Sequence, residues 1–130
     1  MAKVVETPIQ KRFSDVDIFQ HVNNVAQQMY FDLGKTEYFR EVLSDDMLNG
    51  ELRVVAVSTA TSYMGQIRMF DDIFVRTTCE KVGNKSLTLV QQIVCGDELK
   101  SESRSVMVGF DFGQQISISL PQEWIDKMLG

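Results

Sequence analysis

The chain predicts an α+β domain in which one long central helix is wrapped by a curved antiparallel sheet of five to six strands. A single extended helical pattern runs from Asn24 to about Leu43, and from Leu52 onward the sequence reads as successive strands until a short helix closes it. The long helix is apolar on more than one side, which is more apolar surface than a solvent-facing helix needs. The order strand, helix, then a run of strands sets the helix against one sheet instead of between alternating βα units. A single layer of this kind leaves its outer face and edges open, so self-association is expected.

Each element has its own signal. Residues 3–13 alternate loosely through Val5, Thr7 and Ile9 to Phe13, and Pro8 among them marks an edge strand or a bulge. A polar loop follows, then the helix, with Val25, Met29, Leu33 and Thr36 along one stripe and Tyr30, Tyr38 and Val42 widening it. This helix is expected to be largely covered. Gly34 in its middle costs roughly 1 kcal/mol against alanine, which makes sense if the helix backbone there lies close against a sheet or another subunit. Ser44, Asp45, Asp46, Asn49 and Gly50 are loop chemistry. Val55, Val57, Thr59, Thr61 and Tyr63 then mark one face of a long strand. Residues 73–82 and 86–95 make two more strands joined by a tight hairpin at Gly83 and Asn84, and the turn Cys95-Gly96-Asp97-Glu98 leads into a strand over 101–112. Pro121 sits at a helix start, with Trp124, Ile125, Met128 and Leu129 spaced for a short amphipathic helix.

At 130 residues, 44% apolar and 24% charged, the chain reads as one soluble globular domain without repeats or linkers. Thirteen basic against eighteen acidic residues give a net charge of -5, which argues against a nucleic-acid or anionic-membrane surface. A polyanionic ligand would need local basic residues. The N-terminus lacks the apolar core of a signal peptide and no apolar stretch is long enough to span a bilayer, so a cytoplasmic address is expected. Cys79 and Cys95 lie far apart in apolar strand-like runs without metal-type spacing. Reduced core thiols are the favoured reading over a disulfide, and no metal site is expected.

Chemistry concentrates in residues 12–39, RFSDVDIFQHVNNVAQQMYFDLGKTEYF, where the loop carrying the only histidine runs into the helix. Asp15, Asp17, His21, Asn23 and Asn24 fall just upstream of a helix N-terminus, whose free N–H groups can hold an anion or a developing oxyanion. On residue types alone the two aspartates also read as turn formers, Asn23 or Asn24 as an N-cap, and His21 as a structural histidine. Asp32, on the helix, is a further carboxylate that reads as a solvent-facing or interface charge.

The order of elements together with SDVDIFQHVNNV resembles the hotdog-fold acyl thioesterases, in the branch that includes 4-hydroxybenzoyl-CoA thioesterase and the acyl-ACP thioesterases. The similarity covers nearly the whole chain. It extends through Tyr63-Met64-Gly65-Gln66-Ile67-Arg68-Met69-Phe70-Asp71-Asp72, the hairpin Val82-Gly83-Asn84-Lys85-Ser86-Leu87 and the closing Leu120-Pro121. The resemblance implies hydrolysis of an acyl-CoA or acyl-ACP thioester without a cofactor. Asp17 would attack the thioester carbonyl or activate the water that does so, and His21 would assist proton transfer or orient the substrate. The backbone N–H near Asn24 would polarise the thioester oxygen.

Lys85 and Ser86 match positions near the nucleotide and phosphates of coenzyme A, and Arg68 adds a cation at a strand end. Tyr63, with Met29, Tyr30, Leu33, Met64 and Phe70, is a candidate lining for an acyl chain. Two residues depart from the family pattern: Phe19 stands where the acyl-ACP branch has an asparagine, and Gln27 replaces a common tyrosine. The family further implies a homodimer or a dimer-of-dimers homotetramer, with sites at subunit interfaces. The competing expectation is a hotdog module that binds acyl ligands or a protein partner without turning them over.

Overall fold

Five strands, β1 (Val4–Pro8), β2 (Leu52–Tyr63), β3 (Phe74–Val82), β4 (Ser86–Cys95) and β5 (Glu98–Asp111), form one antiparallel sheet in the order β1-β3-β4-β5-β2. A short β6 (Ile116–Ile118) pairs with the end of β5. Helix α1 (Asn24–Leu43) crosses the inner face of this sheet, and α2 (Gln122–Leu129), entered through Pro121, closes one end by burying Met128. The computed structural model describes residues 2–44 and 50–130. The loop residues Asp45, Asp46 and Asn49 lie outside that range.

Strand patterning follows the pleat. On β3 the inward positions Val75, Thr77 and Cys79 are buried while Phe74, Arg76 and Thr78 between them are half-exposed. The outer face carries the ion pairs Arg76–Glu6 at 3.4 Å, Arg104–Glu102 at 2.6 Å and Arg104–Glu80 at 3.3 Å. These exposed pairs keep that face wet more than they stabilise the fold. Residues 98–100 belong to β5, so that strand starts three positions earlier than the turn chemistry indicates.

Strand β2 corrects a reading of the sequence. Its register with β5 slips between Ala56 and Ser58, leaving Val57 as a bulge. Val55 therefore pairs with Val108 on the outer row, whereas Thr59, Thr61 and Tyr63 pair with Ser105, Ser103 and Ser101 on the inner row. One extra residue in a strand exchanges its two faces. The five residues Val55, Val57, Thr59, Thr61 and Tyr63 do not share a face.

Helix α1 corrects another. Its stripe of Val25, Met29 and Leu33 is 68%, 52% and 43% exposed. The side turned to the sheet is Ala26, Gln27, Tyr30, Phe31, Gly34, Tyr38, Phe39, Val42 and Leu43. Small residues decide this. A Cβ at Gly34 would stand 2.7 Å from Val75 Cγ1, so the backbone approaches the sheet there as closely as glycine permits. Beside it the Gln91 side chain donates to the Phe31 carbonyl at 2.8 Å and to Thr77 Oγ1 at 3.1 Å.

This contact separates two apolar clusters. One gathers Tyr38, Phe39, Leu43, Leu87, Leu89, Met107 and Met128 toward α2. The other gathers Val22, Ala26, Tyr30, Phe31, Ile67, Ile73 and Ile93 beneath the start of α1. At roughly 1.5–3 kcal/mol for each fully buried large side chain, the second cluster gives the polar loop above it a firm floor.

Candidate functional site

The loop that precedes α1 is a miniature β-hairpin. The Asn23 N–H donates to the Asp15 carbonyl at 2.9 Å, Val16 and Val22 form a β-bridge, and the Asp17 N–H donates to the His21 carbonyl at 3.0 Å. Residues 15, 16 and 17 thus face 23, 22 and 21. The turn closes by the Gln20 N–H bonding the Asp17 carbonyl at 2.9 Å, with Gln20 in the left-handed region at φ 66°. Asp17 and His21 are therefore partners across the last rung. This pairing is what places a carboxylate and an imidazole side by side.

The far arm runs directly into the helix. Asn23 is the N-cap: its Oδ1 accepts from the Ala26 N–H at 2.7 Å, which settles the choice between Asn23 and Asn24. Among the described residues, the N–H groups of Asn24 and Val25 have no partner in the chain. Asp17, His21, Asn23, Asn24 and Val25, with Phe19 and Gln66, line a single cleft of about 600 Å³. A carboxylate, an imidazole and unpaired helix-terminal donors around one space is a set that can promote attack on a carbonyl and hold the oxyanion it forms. Asp17 itself is exposed in the single chain, and its Oδ1 accepts from the Phe19 N–H at 2.9 Å. Its other carboxylate oxygen accepts no hydrogen bond among the described residues.

Asp15, two residues earlier, has the opposite surroundings. It is 2% exposed, with Oδ2 accepting from the Tyr30 hydroxyl at 2.6 Å and the Arg12 N–H at 3.0 Å, and Oδ1 from Arg12 Nε at 3.1 Å and Nη2 at 2.9 Å. Burial alone would push its carboxyl up, but the Tyr30 hydroxyl and the Arg12 donors outweigh it and hold it below the ordinary value. Burial, and then the Asp15 carboxylate, push the Tyr30 hydroxyl well up. Residue types alone read Asp15 as a turn former, and the resemblance makes Tyr30 a candidate acyl-chain lining. Their spacing of fifteen residues offered no signal of the contact.

A second cleft of about 830 Å³ opens on the other side of Asp17 and His21, lined by Phe13, Val16, Ile18, Met69, Phe70 and Arg68. Arg68, exposed, stands at the mouth of a turn closed by its N–H to Asp71 Oδ2 at 2.9 Å. Tyr63 ends β2 near the first turn of α1, its hydroxyl accepting from Gln28 Nε2 at 2.9 Å. Of the other candidate lining residues, Met29, Leu33, Met64 and Phe70 are exposed in the single chain and Tyr30 is committed to Asp15. Asp32 is exposed beside Lys35 at 3.6 Å. Gln27 is 3% exposed with its Oε1 unpartnered.

Lys85 and Ser86 lie elsewhere. They form the β3–β4 turn, where the Gly83 N–H donates to the Ser86 carbonyl at 2.7 Å and the Gly109 N–H to the Lys85 carbonyl at 2.9 Å. The hairpin of Asp17 sits over the opposite end of the sheet, by the Ile73 start of β3. The length of β3 puts roughly 25 Å between the two at about 3.3 Å per residue. One chain thus brings together Asp17, His21 and Asn24, with Arg68 and Tyr63 close by, and leaves Lys85 and Ser86 apart. Both cysteines are free thiols, Cys79 buried and Cys95 half-buried. No group of metal-ligating side chains occurs among the described residues, and no described helix is long and apolar enough to cross a membrane.

A helix cradled by one curved antiparallel sheet is the hotdog fold, and residues 12–129 match the thioesterase-like superfamily. The chain belongs to that superfamily. It is similar to the uncharacterised protein YsmA of Bacillus subtilis, with 32% identity over 78 residues that span 60% of this chain and 52% of that protein. The match thus spans about half the length of that curated relative. Among solved structures, a predicted thioesterase from Bacillus stearothermophilus superposes with a TM-score of 0.86 at 27% identity, covering 97% of this chain and 94% of that one. A Thermus thermophilus thioesterase complexed with coenzyme A and zinc shares the fold, with a TM-score of 0.83, 23% identity, and 95% and 90% coverage.

Proposed function

We propose that this protein hydrolyses acyl-CoA thioesters, releasing the free acid and coenzyme A. The observation that carries the reading is the last rung of the hairpin, where Asp17 and His21 face each other in the same cleft as the unpaired N–H groups of Asn24 and Val25. The thioester carbonyl enters that cleft with its oxygen toward the helix terminus, where backbone donors and the positive end of the helix dipole stabilise the oxyanion. The free oxygen of Asp17 takes the proton of the water that attacks the carbonyl carbon, or attacks that carbon itself to form a mixed anhydride that water then hydrolyses. In either case the C–S bond breaks and coenzyme A leaves as the thiolate. His21 orients the substrate or passes a proton to the departing thiolate. No cofactor takes part.

Support for coenzyme A as the carrier comes from the Thermus thermophilus protein of the same fold, which was solved with that ligand. Arg68 lies beside the reacting pair, and Lys85 and Ser86 serve the carrier phosphates from a second copy, because within one chain they stand at the far end of the sheet. An assembly of two or four chains also covers the outer edge of β2 and the exposed stripe of α1. Acyl carrier protein is the other carrier to be tested.

A thiol-release assay across short, long and aromatic acyl-CoAs, with an acyl-ACP arm beside it, tests the reading. Wild-type turnover that falls about tenfold or more in Asp17→Asn, with folding intact, is the expected result. Hydrolysis unchanged in that variant removes Asp17 from its role. Binding of a nonhydrolysable acyl-CoA without thiol release from any substrate would establish the binding module instead.

A further inference from the structure

The reacting pair occupies the tip of a hairpin whose base is held by Asp15. That carboxylate lines neither cleft, so it cannot touch a substrate held in them. Yet it is buried and accepts four hydrogen bonds, from the Arg12 N–H, Arg12 Nε, Arg12 Nη2 and the Tyr30 hydroxyl. An aspartate that merely formed a turn could stay in water, as Asp17 does. Taking a carboxylate out of water carries a desolvation cost that its hydrogen-bond donors must offset, and here four donors do so.

The partners show what is being positioned. Asp15 pairs through its carbonyl with Asn23, which caps the first turn of α1, and through its carboxylate with Tyr30 one to two turns further along the same helix. These two attachments are separated by seven residues, about 10 Å of helix axis. The arm of residues 15–17, if joined to the helix only through Asn23, can swing about that joint. Joined also at Tyr30, it cannot. The Val22 N–H, bonded to the Ile67 carbonyl at 2.7 Å, restrains the other arm toward the sheet.

We propose that Asp15, clamped by Tyr30 and Arg12, is a positioning residue that sets the separation between the Asp17 carboxylate and the free N–H groups at the start of α1. The role rests on the thioester-hydrolase reading of that cleft. Misplacement by a fraction of an ångström to an ångström costs a nucleophile or base far more than it costs a binding surface, so the clamp acts on turnover and leaves affinity alone.

The test compares Tyr30→Phe and Asp15→Asn with Tyr38→Phe. Tyr38 is an equally buried tyrosine on the same helix whose hydroxyl has no partner among the described residues, so its removal is a matched control. Tyr30→Phe keeps the ring in the core, and Asp15→Asn keeps the shape and loses the charge, so one of them remains informative if the other folds poorly. Amide hydrogen exchange over residues 15–23 should quicken about tenfold or more in Tyr30→Phe, with the sheet unchanged and Tyr38→Phe at the wild-type rate. For the hydrolase, kcat should fall about tenfold or more with KM within about twofold.

Unchanged exchange in residues 15–23, or a loosened hairpin with unchanged kcat, overturns the proposal. So does a change confined to KM. If wild-type protein releases no thiol, the hydrolase reading and with it the catalytic part of this role are overturned, while the exchange arm still decides whether Tyr30 clamps the hairpin.

Discussion

The Tyr30 hydroxyl donates to the buried carboxylate of Asp15 at 2.6 Å, tying the loop before α1 to the body of the helix it leads into. Both groups titrate, and both are shifted by the contact, in opposite directions.

The pair should make stability depend on pH at both ends of the range. Folding lowers Asp15 from 3.8, so its contribution is present above that value and is lost as pH falls through the folded pKa. Folding raises Tyr30 above 10.0, so its contribution is fully present below that value and is lost as pH rises through the raised folded pKa. Denaturant titrations of wild type and Tyr30→Phe should differ by about 1–3 kcal/mol between roughly pH 5 and 9, and by less on either side. A difference that stays constant into acid and alkali would mean that the hydroxyl contributes by packing alone.

Gly34→Ala should destabilise the fold. Alanine gains about 1 kcal/mol of helix propensity, but its Cβ would lie 2.7 Å from Val75 Cγ1 and 3.0 Å from Gln91 Nε2. Forcing the helix off the sheet costs about 1–3 kcal/mol. A lower thermal midpoint is expected, and a midpoint at or above wild type would show that the Gln91 belt yields.

Leu33→Glu and Met29→Glu test self-association. Both residues are exposed in the single chain, so neither change should cost the monomer more than about 0.5 kcal/mol. Light scattering should give wild type as a multiple of 14.8 kDa and the variants a smaller assembly. Wild-type mass at 14.8 kDa, or variants of undiminished size, would count against an interface on this stripe.

Thiol labelling should distinguish the cysteines. Burial pushes the Cys79 thiol up and shields it, whereas Cys95 is half-buried at the end of β4. Native protein should label first at Cys95, with Cys79 reacting only on unfolding. Rapid labelling of Cys79 in the native state would place it outside the core described above.

Much of this architecture is legible in the residues. Asn24–Leu43 emerges as the helix at its observed limits because an asparagine cap and loop chemistry bracket it, and Gly83-Asn84 marks the β3–β4 turn by its turn-forming residue types. The orientation of α1 is not legible, since apolar residues lie on nearly every side and 3.6-residue periodicity supports two stripes equally. What chooses between them is the small profile of Ala26 and Gly34 against the sheet, a three-dimensional fit. The Val57 bulge is hidden for a related reason: β-branched residues flank it in both frames, so the exchange of faces leaves no mark in composition.

Within the candidate site, Asp17, His21 and Asn24 come from resemblance, and the structure adds the hairpin that makes neighbours of them. Asp15 and Asp17 look alike as letters two positions apart. The contacts with Tyr30 and Arg12 separate the buried one from the exposed one.

The hairpin also bears on how such a protein can change. Its closing bonds run through the main chain and the Asp17 carboxylate, so the side chains of Ile18 and Phe19, 90% and 73% exposed, support nothing beneath them. Ile18 and Phe19 at its crest are positions where mutation can vary the lining of the two clefts beside the Asp17 carboxylate while the folding free energy stays nearly level. Gln20 alone is restrained there, because its left-handed backbone favours glycine or asparagine. Selection for a new ligand has a short path to follow in this chain, and Phe19 lies on it.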